Sequence, residues 1–113
     1  MDKKDMPQSD IIMIGPMRFN AQQLEVSRDG KATRLTPGES WLLRFLVDHA
    51  NTAYTLSQLS LEIYGTDNAD TMIKVAIRHL RQKIEPDPTN PTYILTIPGV
   101  GYTLVIHDTR NSL

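Results

Sequence analysis

Thr71, Lys74, Arg78 and Arg81 recur at intervals of three, four and three residues, with Gln82 beside them. On a helix of about 3.6 residues per turn that spacing gathers them on one side, as a strip of hydroxyl, ammonium, guanidinium and amide donors. Such donors form charge-assisted hydrogen bonds to phosphate oxygens, and a guanidinium can fork onto the acceptor edge of guanine. Ile73, Ile77, Leu80 and Ile84, with Ala76 at the edge, fall on the other side and read as core. Val75 is the exception. Its angle sets it near Thr71 and Gln82, where an apolar group suits a thymine methyl, although isolated exposed valines are common and need no such reason.

The helix that carries the strip is predicted over 70–84. Asp70 is its expected N-cap. Pro86 and Pro88 forbid continuation past Ile84, because proline lacks the amide proton and its ring clashes with the preceding turn. A short hairpin over 93–106 follows, with Gly99-Val100-Gly101 at its tip. A cationic helix followed at once by a β-ribbon is how a winged helix addresses DNA.

Upstream elements must hold that helix. Residues 11–14 and 17–20 read as strands around a Gly15-Pro16 turn, and 24–28 and 31–35 flank Asp29-Gly30, a dipeptide whose tolerance of positive φ makes tight hairpins. A small antiparallel sheet is expected. Thr36-Pro37-Gly38-Glu39 has the form of a capping box, opening a helix in which Trp41, Leu42, Phe45 and Leu46 supply a buried stripe through to about His49. Thr55 with Gln58 repeats the pattern ahead of a shorter helix carrying Leu56, Leu59, Ile63 and Tyr64, which ends at Gly65. The polar segment 65–70 then joins the two helices of a helix-turn-helix. The domain is expected over 11–107, between a frayed polar segment at 1–10 and a tail at 108–113.

Ile73-Lys74-Val75-Ala76-Ile77-Arg78-His79-Leu80-Arg81, followed by Tyr93-Ile94-Leu95-Thr96 and Gly99-Val100-Gly101-Tyr102, resembles the recognition helix and wing of the OmpR/PhoB-type winged-helix effector domain of bacterial response regulators. Arg28-Asp29-Gly30-Lys31, Leu35-Thr36-Pro37 and Ile63-Tyr64-Gly65 occur in the order that family shows, so the resemblance covers nearly the whole chain. It implies an α+β fold: an N-terminal antiparallel sheet, three helices and a C-terminal hairpin wing. It also implies that Arg78 meets bases or phosphates, that Arg81 meets phosphates, and that Tyr64 and Tyr102 donate to phosphate, the alternative for both tyrosines being core rings with wet hydroxyls. Lys74 stands where aspartate is common, Ala76 where histidine or tyrosine is common, Met72 where threonine is common, and Pro98 where many members carry a wing arginine. The first change adds charge to the groove face and the last removes it from the wing.

Composition fits one domain with one core: 113 residues, 40% of them hydrophobic, are too few for two comfortable cores. The net charge of −1 looks wrong for a nucleic-acid binder until it is mapped. Between 40 and 69 one cation faces three acids, whereas between 70 and 83 four cations face one acid. Neither a membrane span nor a signal segment is evident, and the lack of cysteine excludes disulfides and thiolate metal sites, so a cytoplasmic protein is expected. Catalysis finds no support. His49, His79 and His107 are far apart without metal-ligand partners, and Gly99-Val100-Gly101 lacks the third glycine and following helix of a nucleotide loop. No cofactor is expected.

The sequence therefore predicts a sequence-specific binder of double-stranded DNA in a transcriptional regulator. Thr71, Lys74, Val75, Arg78, His79 and Arg81 on the helix, with Tyr64 and Tyr102 beside it, are its candidate contacts, and Lys74, Val75, Arg78 and His79 are its candidate base readers. The resemblance further implies RNA polymerase at the 65–70 loop, for which a solvated connector is the alternative, together with a head-to-tail dimer on DNA and a receiver domain in a longer chain. Residues 1–10 suit either a linker or a natural N-terminus. The rival reading is a winged helix that contacts protein rather than DNA, favoured by the near-neutral charge and the missing wing arginine.

Overall fold

The structure, a computed structural model, describes residues 11–106. The expectations for 1–10, His107 and 108–113 lie outside that range. Strands β1 (Ile11–Ile14), β2 (Met17–Asn20), β3 (Glu25–Arg28) and β4 (Lys31–Arg34) form an antiparallel meander in chain order. Its second hairpin turns at Asp29 (φ 54°) and Gly30 (φ 78°), the two positive angles that let a two-residue loop follow strand twist. Ile14, Met17, Phe19 and Val26 point from the sheet into the core.

Helix α1 (Pro37–Asp48) opens with the reciprocal box expected of Thr36 and Glu39, their amide–side-chain bonds measuring 3.1 and 3.0 Å. One expectation fails here: Trp41 is 66% exposed, and the buried row is Leu42, Leu43 and Leu46, with Phe45 half-buried at its edge. Trp41 lies about 160° around the helix from Leu43, so the two cannot both face the core. Helix α2 (Leu56–Tyr64) repeats the box with Thr55 and Gln58 and closes on Gly65 at φ 73°.

Helix α3 (Asp70–Ile84) has the predicted bounds but not the predicted cap. The N-cap is Ala69, which offers no side-chain bond, and Asp70 is the first helical residue, its carboxylate in the turn where the helix dipole favours an anion. Ser60 of α2, fully buried, accepts the Ala69 N–H at 2.8 Å and donates to the Thr66 carbonyl, so the turn between the two helices is tied from below.

Strands β6 (Ile94–Ile97) and β7 (Gly101–Leu104) form the wing, and a two-residue strand that the sequence did not announce, β5 (Tyr54–Thr55), pairs with the far edge of β7. A Cβ on Gly101 would come within 2.0 Å of the Tyr54 carbonyl oxygen, so that position admits only glycine without moving the backbone. Leu59, Ile73, Ile77, Leu80, Ile84, Ile94 and Leu104 join the α1 row and the sheet residues in one buried cluster. The α+β winged helix-turn-helix expected from sequence is the fold observed.

Candidate nucleic-acid interface

Burial sorts α3 as its periodicity requires. Ile73, Ala76, Ile77, Leu80 and Ile84 are buried; Thr71, Met72, Lys74, Arg78 and Gln82 are exposed; Val75 is half-buried between the two sets. The structure thus brings Thr71, Lys74, Val75 and Arg78 onto one open face of a helix about 22 Å long, a cylinder that a major groove accommodates.

Arg81 stands at the border with the wing. Its Nε and Nη2 both donate to the Ile94 carbonyl, at 3.0 and 2.8 Å, and Nη2 also donates to Thr96 Oγ1 at 2.9 Å. Its guanidinium carbon lies 5.7 Å from the centre of the Tyr102 ring. Arg81 therefore brackets helix to hairpin, and Tyr102 is half-buried beneath that bracket on β7.

His79 turns toward α1. Its Nδ1 lies 3.5 Å from Glu39 Oε2, while Lys83 Nζ lies 2.6 Å from Glu39 Oε1. Burial pushes the Glu39 carboxyl pKa up. The Lys83 hydrogen bond, the Thr36 amide and the charges of Lys83 and His79 outweigh it, so the group sits below its ordinary value. The start of α1 is in this way fixed to the recognition helix. Tyr64 is half-buried at the end of α2, its hydroxyl 3.2 Å from where a Cβ on Gly38 would sit, so it lies against the first turn of α1.

Glu85 is not among the candidate contacts named from the sequence. This residue is 3% exposed at the C-cap of α3, extended (φ −80°, ψ 138°) as a residue before proline must be. Its carboxylate accepts the N–H groups of Thr92 (2.7 Å), Tyr93 (3.0 and 3.2 Å) and Ile94 (2.7 Å), fastening the end of the recognition helix to the start of the wing. One signal was available: an acid at a helix C-terminus opposes the dipole and calls for compensating donors.

Residues 30–104 match the sequence profile of a family described as the C-terminal domain of transcriptional regulatory proteins. The chain belongs to this family. Among curated relatives, protein PetR of Rhodobacter capsulatus is 35% identical over 101 residues, covering 82% of this chain and 42% of that protein. The regulator RpaA of Synechocystis is 36% identical over 98 residues, covering 85% and 41%. The chain thus spans less than half the length of these relatives. Among solved structures, the response regulator DrrB of Thermotoga maritima, an OmpR/PhoB homologue, superposes with a TM-score of 0.76 at 29% identity over 85% of this chain and 44% of that one. The DNA-binding domain of RstA from Klebsiella pneumoniae, in complex with its RstA box, superposes with a TM-score of 0.75 at 26% identity over 86% and 98%. This OmpR/PhoB-type family is one of transcriptional regulators, and the fold described above is its winged helix. Among the described residues no helix is long and apolar enough to cross a membrane.

Proposed function

We propose that the chain binds double-stranded DNA sequence-specifically as the effector domain of a transcriptional regulator, with α3 in the major groove and the wing on the backbone beside it. The observation that carries this reading is the open strip Thr71–Lys74–Val75–Arg78 on a helix whose reverse face is the core, whose start is tied to Ser60 of α2 and whose end is tied to the wing through Glu85. Lys74, Val75 and Arg78 read base edges, Thr71 meets the backbone, and Tyr64 and Tyr102 meet phosphate at the flanks. Arg81 acts chiefly by holding the wing at its angle to the helix, and His79 by its place beside Glu39, each keeping a smaller share of direct contact. The RstA domain, solved on its box, and RpaA, described as a DNA-binding regulator, support the same reading.

The domain proper is proposed as 11–107, within a cytoplasmic regulator, without enzymatic activity of its own. In a longer chain it follows a receiver domain, pairs head to tail on tandem sites, and offers the 65–70 loop to RNA polymerase. The test is Arg78→Ala on specific and random duplexes: a bidentate guanine contact predicts a loss of about 1–3 kcal/mol on the specific site and much less on random DNA. Equal losses on both would make Arg78 a phosphate ligand. Negligible binding of the unaltered chain at any salt would transfer the fold to protein contact and overturn the proposal.

A further inference from the structure

The β3–β4 hairpin pairs its charges in two unlike ways. Glu25 lies directly opposite Arg34, an attractive cross-strand pair. Arg28 lies directly opposite Lys31, two cations in the position where like charges destabilise a ladder. Side chains two apart on a strand share a face, so Arg28 and Lys31 stand on the same side as Val26, which is buried in the core, and not on the side of Glu25 and Arg34. There they line a cavity of about 130 Å³ with Lys83 of α3 and Thr33, floored by Met17 and Val26. That volume is well above the roughly 10–15 Å³ that one water requires.

The charges around this cavity do not cancel. Lys83 is balanced by Glu39 at 2.6 Å. No ion pair ties Arg28 or Lys31 to a carboxylate among the described residues, and the nearest acid in sequence, Asp29, is exposed at the turn. Two neighbouring cations, a hydroxyl and the outer edge of a third ammonium gather around a polar hollow, and an anion held there would offset their repulsion. The geometry points to a binding site for a phosphate-type oxyanion between the β3–β4 hairpin and the C-terminal end of the recognition helix. A guanidinium and an ammonium side by side on one face of the hairpin match the divided charge of such a group. The site lies beyond the open strip of α3 and does not depend on the DNA reading. Its oxyanion has two sources, free phosphate or a backbone phosphate of a duplex carried past the end of α3.

Titration of the chain with inorganic phosphate, followed by amide NMR against chloride at matched ionic strength, tests the site. Saturable shifts confined to residues 28–33 and Lys83 are expected, and the double variant Arg28→Gln, Lys31→Gln should bind about tenfold or more weakly with its melting temperature kept or raised. In a parallel arm, the salt slope of duplex binding should fall by about one to two units in the same variant if the backbone supplies the anion, and stay unchanged if free phosphate does. Non-saturating shifts, shifts equally produced by chloride, or a variant that titrates like the original would overturn the site.

Discussion

Replacing Glu85 by alanine removes the one acceptor shared by three consecutive amides. Its two oxygens take four contacts of 2.7–3.2 Å from Thr92, Tyr93 and Ile94, and the carboxylate is almost wholly enclosed. A hydrogen bond to a charged partner contributes about 1.5–3 kcal/mol net, and a buried amide left without an acceptor costs about 1–3 kcal/mol. Thr92 is exposed, so water can replace its acceptor, whereas Tyr93 and Ile94 are buried and cannot be served that way. Two stranded amides and the lost packing give an expected destabilisation of about 3–5 kcal/mol, a large share of a typical stability of roughly 5–15 kcal/mol. Glu85→Gln, which keeps one carbonyl oxygen but turns a donor toward an N–H, should lose about 1–3 kcal/mol. Urea unfolding followed by far-ultraviolet circular dichroism measures both, with the slope of the transition confirming that the same surface unfolds. Hydrogen exchange at Tyr93 and Ile94 should accelerate in the alanine variant more than at core amides of α3. A loss under about 1 kcal/mol with those amides still protected would mean that another acceptor serves them, and the fastening role assigned to Glu85 would be wrong.

Leu80→Ala should destabilise by roughly 2–5 kcal/mol in the same urea assay, since it deletes a fully buried side chain between α3 and the rest of the core; an unchanged midpoint would reverse the assigned faces of α3. Glu39 contributes stability that depends on pH. Its folded pKa lies below the ordinary 4.5, so its contribution is complete above that value and is lost as pH falls through the lower folded pKa. Melting temperatures measured from pH 7 down should therefore drop less steeply below pH 4.5 in Glu39→Gln than in the parent, and parallel curves would refute the linkage. Pro98→Arg, placing a cation at a wing tip that has none, should tighten duplex binding and steepen its salt slope by about one unit; an unchanged slope would mean that the hairpin does not reach the duplex.

What could be read from the residues was local. Thr36 with Glu39, Thr55 with Gln58, Asp29-Gly30 and Gly65 each act within one turn of chain, and each sits where the pattern puts it. Periodicity placed every buried residue of α3 for the same reason. Asp70 is the first helical residue and not the cap, and the start of α3 is instead held across the fold by Ser60, nine positions away, which accepts the Ala69 amide. Trp41 departs from its expected place because an apolar side chain announces burial without saying on which side of a helix the core lies. The bonds that fix the site join residues made neighbours only by folding. Lys83 meets Glu39 across 44 positions, Arg81 meets Thr96 across 15, and β5 has two residues and no pattern of its own. The strip on α3 was therefore legible as a set, while the bracing role of Arg81 and the turn of His79 toward α1 were not.

Thr55 is at once the last residue of β5 and the N-cap of α2, so a single residue is shared by the wing sheet and the helix-turn-helix. For anyone grafting a new specificity onto this scaffold, the consequence is a rule about breakpoints. A donor recognition helix cannot be inserted with its own wing while leaving the acceptor's 54–55 behind, because the donor's counterpart of Gly101 must fit against this particular backbone. The transferable cassette runs from 54 to 104, and the acceptor must also keep Glu39 for the donor's counterparts of His79 and Lys83 to meet.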